Sequence, residues 1–248
     1  MKIIISPAKN MKVEEVLDWE TVPVFKDKAM QVMNYLKAMD YQELKDLWGC
    51  NDKIAAMNQE RLEHMNLDGE LSPAVMTYDG IQYKYMCPGA FTDESYEWLK
   101  DNLRILSGFY GILRPQDGIV CYRLEMQAKA HINGSDDLYD FWGDAIYREL
   151  TKDDMVILNL ASKEYSKCIE DYLQDDVHFI DIVFGEINKG KVVTKGTLAK
   201  MARGEMVRFL AERKATSPQE AKLFDRLGYT FDEDRSDENT YVYIRTGG

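Results

Sequence analysis

Eight polar residues stand where apolar runs end: Ser6, Lys9, Tyr122, Arg123, Glu125, Asp144, Asn159 and Ser162. Their types fit anion binding and acid–base chemistry. A lysine holds a phosphate, or becomes a nucleophile once desolvated, and a glutamate can serve as general base. "IIISPAK" ends an apolar run at Ser6-Pro7, a cap and first helical position, with Lys9 just beyond. "ILNLASKEY" ends another at Asn159, and Ser162 then caps a helix. Each pattern puts a helix N-terminus at the carboxyl end of a strand, where free N–H groups and the helix dipole favour an anion. Arg123 and Glu125 in "CYRLEM" and Asp144 in "LYDFWGD" read either as a buried ion network or as catalytic groups.

Two further stretches carry positive charge. "LRILSGFYGILRP" (103–115) reads as an apolar helical run that breaks at Ser107-Gly108, with Gly111 beyond and Arg104 and Arg114 near its ends. Such a break either presses bare backbone against a phosphate or is a helix cap followed by a buried turn. Residues 189–214 hold eight basic side chains, among them Lys195, Lys200, Arg203 and Arg208, against the acids Glu205 and Glu212. At roughly 100° per residue, Lys200, Arg203 and Arg208 share a helix face about 140° wide, opposite Leu198, Ala202, Met206 and Phe209. Gly204 falls on that basic face, where it would let a ligand approach the backbone. The face is either an anion site or a solvated surface.

These cations sit in an acidic chain. A net charge of -12 over 248 residues excludes a protein that coats nucleic acid with its whole surface, and leaves a local basic groove open. Cys50, Cys87, Cys121 and Cys168 stand far apart without a C-x-x-C pair, and His64, His131 and His178 are isolated. That spacing predicts reduced thiols, no metal site and no cofactor, and argues against an iron or haem handler. No run approaches 18 apolar residues, so a cytoplasmic protein without a membrane partner is expected.

The elements that must position these residues follow from periodicity and capping. Strands are predicted at 2–5, 119–123, 155–161 and 240–246, with two more around Asn188-Lys189-Gly190. Helices are predicted over 25–39, from caps Asp40 and Asn51, from Thr92 to Leu106, over 137–150, from Ser162 to Leu173 and over 197–214. Asp79-Gly80 predicts a hairpin turn within 74–85, and Ser217-Pro218-Gln219-Glu220 a capping box with a helix after it. The alternation of strands and helices predicts one α/β (mixed α+β) domain over 1–248, a mixed sheet surrounded by helices.

"IISPAK", "DKIAAMN", "LRILSGFYGILRP" with "YRLEM", "LYDFWGD", "NLASKEY", "ARGEMVRF" and "GYTFDED" occur in this order from residue 4 to 234. Together they resemble the YaaA family of bacterial peroxide stress proteins. The resemblance implies a single cantaloupe-like α/β domain, a positively charged cleft and a helix-hairpin-helix element. It also implies sequence-tolerant binding of duplex or branched DNA, and protection during hydrogen peroxide stress tied to limiting free iron. On that reading 103–115 is the helix-hairpin-helix candidate. Leu103, Leu106, Gly108 and Phe109 fit its pattern, and Gly111 comes one residue late.

Two functions follow. In the first, a cytosolic DNA binder holds phosphates with Ser6, Lys9, Arg104, Ser107, Gly108, Gly111, Arg114, Arg123, Asn159, Ser162, Lys195, Lys200, Arg203 and Arg208. In the second, an enzyme acts on a small anionic or nucleotide-like substrate in the same cleft. A duplex needs an open groove, whereas a small substrate needs a deep pocket that excludes water. The oligomeric state is left open.

Overall fold

The computed structural model describes residues 1–13 and 17–246. The three isoleucines form β1 (Lys2–Ile5) and are fully buried. β2 (Asn10–Met11) follows, so no helix starts at Ser6-Pro7. Three helices come next: α1 (Lys26–Lys37), α2 (Tyr41–Trp48) and α3 (Asp52–Glu63). Asp40 accepts from the Glu43 N–H while Glu43 accepts from the Asp40 N–H, and Asn51 accepts from the Ile54 N–H.

The hairpin predicted over 74–85 is instead β3 (Ser72–Pro73), one helical turn α4 (Ala74–Thr77), β4 (Tyr78–Asp79) and α5 (Ile81–Met86). Asp79 pairs with Asn10 of β2, so the partner of this strand lies far away in sequence. Thr92 caps α6 (Asp93–Asn102) as predicted, but the helix stops four residues before Leu106. The chain then enters β5 (Leu103–Ser107), turns, and returns as β6 (Gly111–Leu113). β7 (Gly118–Ile119) pairs with β3 and is shorter than the extended stretch predicted there.

The predicted helix over 137–150 is two, α7 (Leu138–Trp142) and α8 (Ala145–Thr151), parted at Gly143. β8 (Val156–Leu160), α9 (Lys163–Glu170), the hairpin of β9 (His178–Asn188) with β10 (Lys191–Val193), and α10 (Gly196–Arg213) follow the sequence reading closely. Ser217 makes no side-chain cap, and Pro218–Leu223 is a 3-10 stretch rather than an α-helix. β11 (Tyr229–Phe231) and β12 (Thr240–Arg245) complete the described elements.

The main sheet runs β11-β12-β9-β8-β1-β5-β6, with β10 folded back on β9. β12, β9, β8, β1 and β5 are mutually parallel, while β11, β10 and β6 are antiparallel additions. Helices cover this mixed sheet, as expected of a mixed α/β domain. From β1 the chain crosses to β5 on one side, then returns to β8 on the other. Such a reversal leaves a crevice at the carboxyl ends of the two strands, here just after Ile5 and Leu160.

This topology removes the helix-hairpin-helix. The 103–115 stretch is a β-hairpin in which Ile105 pairs with Leu113 and Ser107 with Gly111. Its turn is closed from inside: the Ser107 hydroxyl accepts from the Phe109 and Tyr110 N–H groups at 3.2 and 2.9 Å. Gly108 and Gly111 are buried, so their backbone faces protein. Gly111 has φ +76, and a side chain there would strike the Trp142 ring. Leu103, Ile105 and Leu106 read as helical from local apolar spacing, but β1 offers a strand edge that the local window does not contain.

Gly204 sets how α10 sits. A Cβ there would lie 2.9 Å from both the Gln82 carbonyl carbon and the Met86 nitrogen. The backbone that approaches Gly204 is therefore α5, not a ligand. Gly204→Ala is expected to destabilise the fold by about 2–3 kcal/mol, the upper range for overpacking. Gly196→Ala, with open space around its Cβ, is expected to change stability by less than about 1 kcal/mol. Urea midpoints of the two variants against the parent protein check the pair.

Candidate functional site

A pocket of about 290 Å³ opens at the crevice beyond β1 and β8. Ser6 to Asn10 form one wall, following β1. Ser162, Glu164 and Tyr165 form another, at the start of α9. The segment Tyr122 to Glu125 makes a third. Asp79 to Tyr83 of the β4–α5 region and Lys200 and Arg203 of α10 close it. The tight α10–α5 packing through Gly204 sets Arg203 beside the wall that carries Gln82.

Short bonds hold the first two walls together. The Ser6 hydroxyl accepts from the Ser162 N–H at 2.8 Å and donates to the Ser162 hydroxyl at 3.1 Å. Ser162 occupies the cap position of α9, but its side chain makes no cap bond to the helix. The Tyr83 hydroxyl donates to the Ser6 carbonyl at 3.0 Å. Under the third wall, the Tyr122 hydroxyl shares hydrogen bonds with Tyr78 at 2.8 Å and Ser107 at 2.6 Å. Burial pushes the Tyr122 phenol up to about 12, so it stays neutral and acts as scaffold.

The charges are arranged unevenly. Lys9 Nζ lies 2.6 Å from Glu125 Oε2, and Arg123 Nη2 lies 3.0 Å from Glu125 Oε1. Glu125 is thus clamped between two cations. Arg203 sits deeper; burial draws its guanidinium down from the usual value, with Asp181 opposing. Four cations (Lys9, Arg123, Lys200, Arg203) face three carboxylates (Asp79, Glu125, Glu164) across the pocket, and Asp79 is also engaged by Lys84 at 3.4 Å.

Three residues that line this pocket each carry a buried donor with no partner among the described residues: Arg123 at Nε, Arg203 at Nε and Gln82 at Nε2. An unmet buried donor costs about 1–3 kcal/mol, more when charged. Natural proteins retain such donors chiefly where another group completes them. An oxyanion accepts from all three kinds and carries the compensating charge.

Of the residues expected at a site, Ser6, Lys9, Arg123, Ser162, Lys200 and Arg203 line this pocket, as do Tyr122 and Glu125. The others are engaged elsewhere. Arg104 donates to the Lys100 and Leu103 carbonyls. Arg114 serves Asp117 and the Val22 carbonyl. Asn159 donates to Asp181 and accepts from the Ala161 N–H, shaping the β8–α9 turn. Lys195 pairs with Glu186, Arg208 with Glu212 and Asp144 with Arg148. Ser107 and Gly108 support the pocket from behind, since a Cβ on Gly108 would meet the Leu124 and Glu125 backbone. Gln82, Glu164 and Tyr165 were missed. "SKEY" could have flagged Glu164 as a first-turn acid, whereas nothing local to "GIQYKY" marks Gln82.

The sequence profile described as "Peroxide stress protein YaaA" matches residues 1–235. The chain belongs to the YaaA peroxide stress protein family. It is 51% identical to a UPF0246 protein of Desulfitobacterium hafniense over 246 residues, covering 99% of this chain and 98% of the relative. It is 50% identical to one of Lachnoclostridium phytofermentans over 250 residues, covering 99% and 96%. One of Agathobacter rectalis is 51% identical over 246 residues, covering 99% of both. Membership of the YaaA family supports a role in peroxide stress. Among the described residues, no helix is long and apolar enough to cross a membrane.

Glu164 gives this pocket a pH dependence. Burial pushes its carboxyl up, Glu125 adds to the shift and Lys9 opposes it. An acid raised in the fold costs stability once pH climbs above its unfolded value, because the folded chain resists losing the proton. Glu164→Gln is therefore expected to match the parent protein near pH 4 and to gain thermal stability relative to it near pH 8. Melting curves at the two pH values check this; an equal offset at both removes Glu164 as the titrating group.

Proposed function

We propose that the pocket beyond β1 and β8 binds a small oxyanion-bearing molecule, a phosphate or carboxylate, and that this binding underlies the part played in peroxide stress. The observation that carries the reading is that Arg123, Arg203 and Gln82, all lining one pocket, each hold a buried donor without a partner among the described residues. At about 290 Å³ the space lies just below the range of drug-sized ligand sites, ~300 to 1,000 Å³, as suits a small anion. Glu164, with its carboxyl held above the usual range, can hold or pass a proton beside the anion, so the site suits an enzyme acting on a small anionic substrate.

Binding of duplex or branched DNA is the second reading, and the basic 189–214 segment favours it. In the fold that segment is partly neutralised: Lys195 faces Glu186, Arg208 faces Glu212 and Lys214 faces Glu94. DNA held there would rest on the outer surface of β10 and α10, not on the 103–115 hairpin.

Calorimetric titration with inorganic phosphate tests the first reading. Arg203→Gln and Arg123→Gln are each expected to weaken binding roughly tenfold or more, the worth of a charge-assisted hydrogen bond. Arg208→Gln is expected to leave it unchanged. Absence of phosphate binding, with steeply salt-dependent duplex binding lost in Arg208→Gln and Lys195→Gln, would transfer the function to DNA.

A further inference from the structure

A second, wider cavity of about 720 Å³ adjoins the oxyanion pocket, and the two share Lys9 and Glu125 as lining residues. The 2.6 Å ion pair of these two side chains therefore stands at the junction. Lys9 is well exposed while Glu125 is largely buried, so the lysine is the side able to swing away. When an anion enters the inner pocket, Lys9 can exchange the Glu125 carboxylate for it and connect the two spaces.

The outer cavity differs in chemistry from the inner one. Met39, just before α2, and Leu47 and Trp48, at its C-terminal end, give it an apolar surface, and Glu43 and Asp46 add acceptors. Trp48 is only 5% exposed, yet its indole Nε1–H has no partner among the described residues. A buried indole N–H ordinarily finds an acceptor. Bulk hydrocarbon would leave it unmet. A flat heteroaromatic ring supplies a face for the apolar surface, an acceptor for Nε1 and N–H donors for the carboxylates.

We propose that the two cavities form one bipartite site whose ligand is a phosphorylated heterocycle of the nucleoside monophosphate class. Its phosphate lies among Arg123, Arg203 and Gln82, and its ring lies against Trp48. The inference rests on the reading of the inner pocket as an oxyanion site. It adds the class of ligand and a second set of recognition groups.

The test compares inorganic phosphate, ribose 5-phosphate and guanosine 5′-monophosphate as ligands of the full chain by calorimetry. The nucleotide is expected to bind at least about tenfold more tightly than ribose 5-phosphate, a gain of about 1.4 kcal/mol. Trp48→Phe keeps an aromatic ring, though a smaller one, and removes the N–H, and is expected to abolish most of that gain while leaving ribose 5-phosphate affinity unchanged. Gln127→Trp, a change at an exposed residue on the outer cavity, is expected to block the ring in the same way without touching the core. Equal affinity for nucleotide and ribose 5-phosphate overturns the bipartite site and leaves the oxyanion pocket standing. A nucleotide gain that survives both variants also overturns it. Failure of all three probes to bind removes the oxyanion reading itself, and this inference with it.

Discussion

The parallel pairing of β1 between β5 and β8 is the constraint on which the rest of the site depends. Ile3, Ile4 and Ile5 are buried on both faces of the sheet, and each pairs with a neighbour on either side. That pairing fixes where the chain leaves the sheet after Ile5 and after Leu160. The two exits are adjacent because the strand order reverses at β1. Ser6 and Ser162, 156 residues apart, meet there and bond to each other. The Tyr83 hydroxyl ties a further wall to that corner by donating to the Ser6 carbonyl.

The second determinant is the contact of α10 with α5. With no side chain at Gly204, the two helices approach until their backbones touch, which brings Lys200 and Arg203 to a pocket whose other walls come from the sheet. The result is positive charge inside an acidic molecule. Arg203 is the half-buried member of that pair, so water and salt weaken its charge less than they weaken that of the exposed Lys200. Much of the outer basic surface is already paired with carboxylates, whereas the inner arginines keep unmet donors. Donor satisfaction, more than charge count, separates a structural cation from one held ready for a ligand.

The arginines of the 103–115 stretch show the same distinction from the other side. Arg104 donates from Nη1 to the Lys100 and Leu103 carbonyls, and Arg114 donates from Nε to Asp117 and from Nη2 to the Val22 carbonyl. They brace a β-hairpin whose turn is tied by Ser107 and roofed by Trp142, which donates to the Gly108 carbonyl at 3.0 Å. The hairpin supports Tyr122 and the Arg123–Glu125 wall from beneath. It serves the pocket as scaffold.

The sequence by itself determined the helix starts capped by Asp40, Asn51 and Thr92, the buried strands β1 and β8, and several of the polar residues that line the pocket. Asp40, Asn51 and Thr92 act through backbone groups within three residues, so their effect is readable locally. "IIIS", "YRLE" and "LASKE" announced Ser6, Arg123, Glu125 and Ser162 because polar residues at the ends of apolar runs must sit at the edge of a core. Tertiary structure decided whatever depended on a distant partner. Leu103–Ser107 became a strand because β1 lay beside it, Tyr78–Asp79 because β2 did, and Gly204 became a packing site because α5 approached it. Which arginines were left with free donors was settled in the same way, since a hydrogen bond is used up by whatever acceptor folding brings within about 3 Å. Sequence spacing alone does not encode that distance.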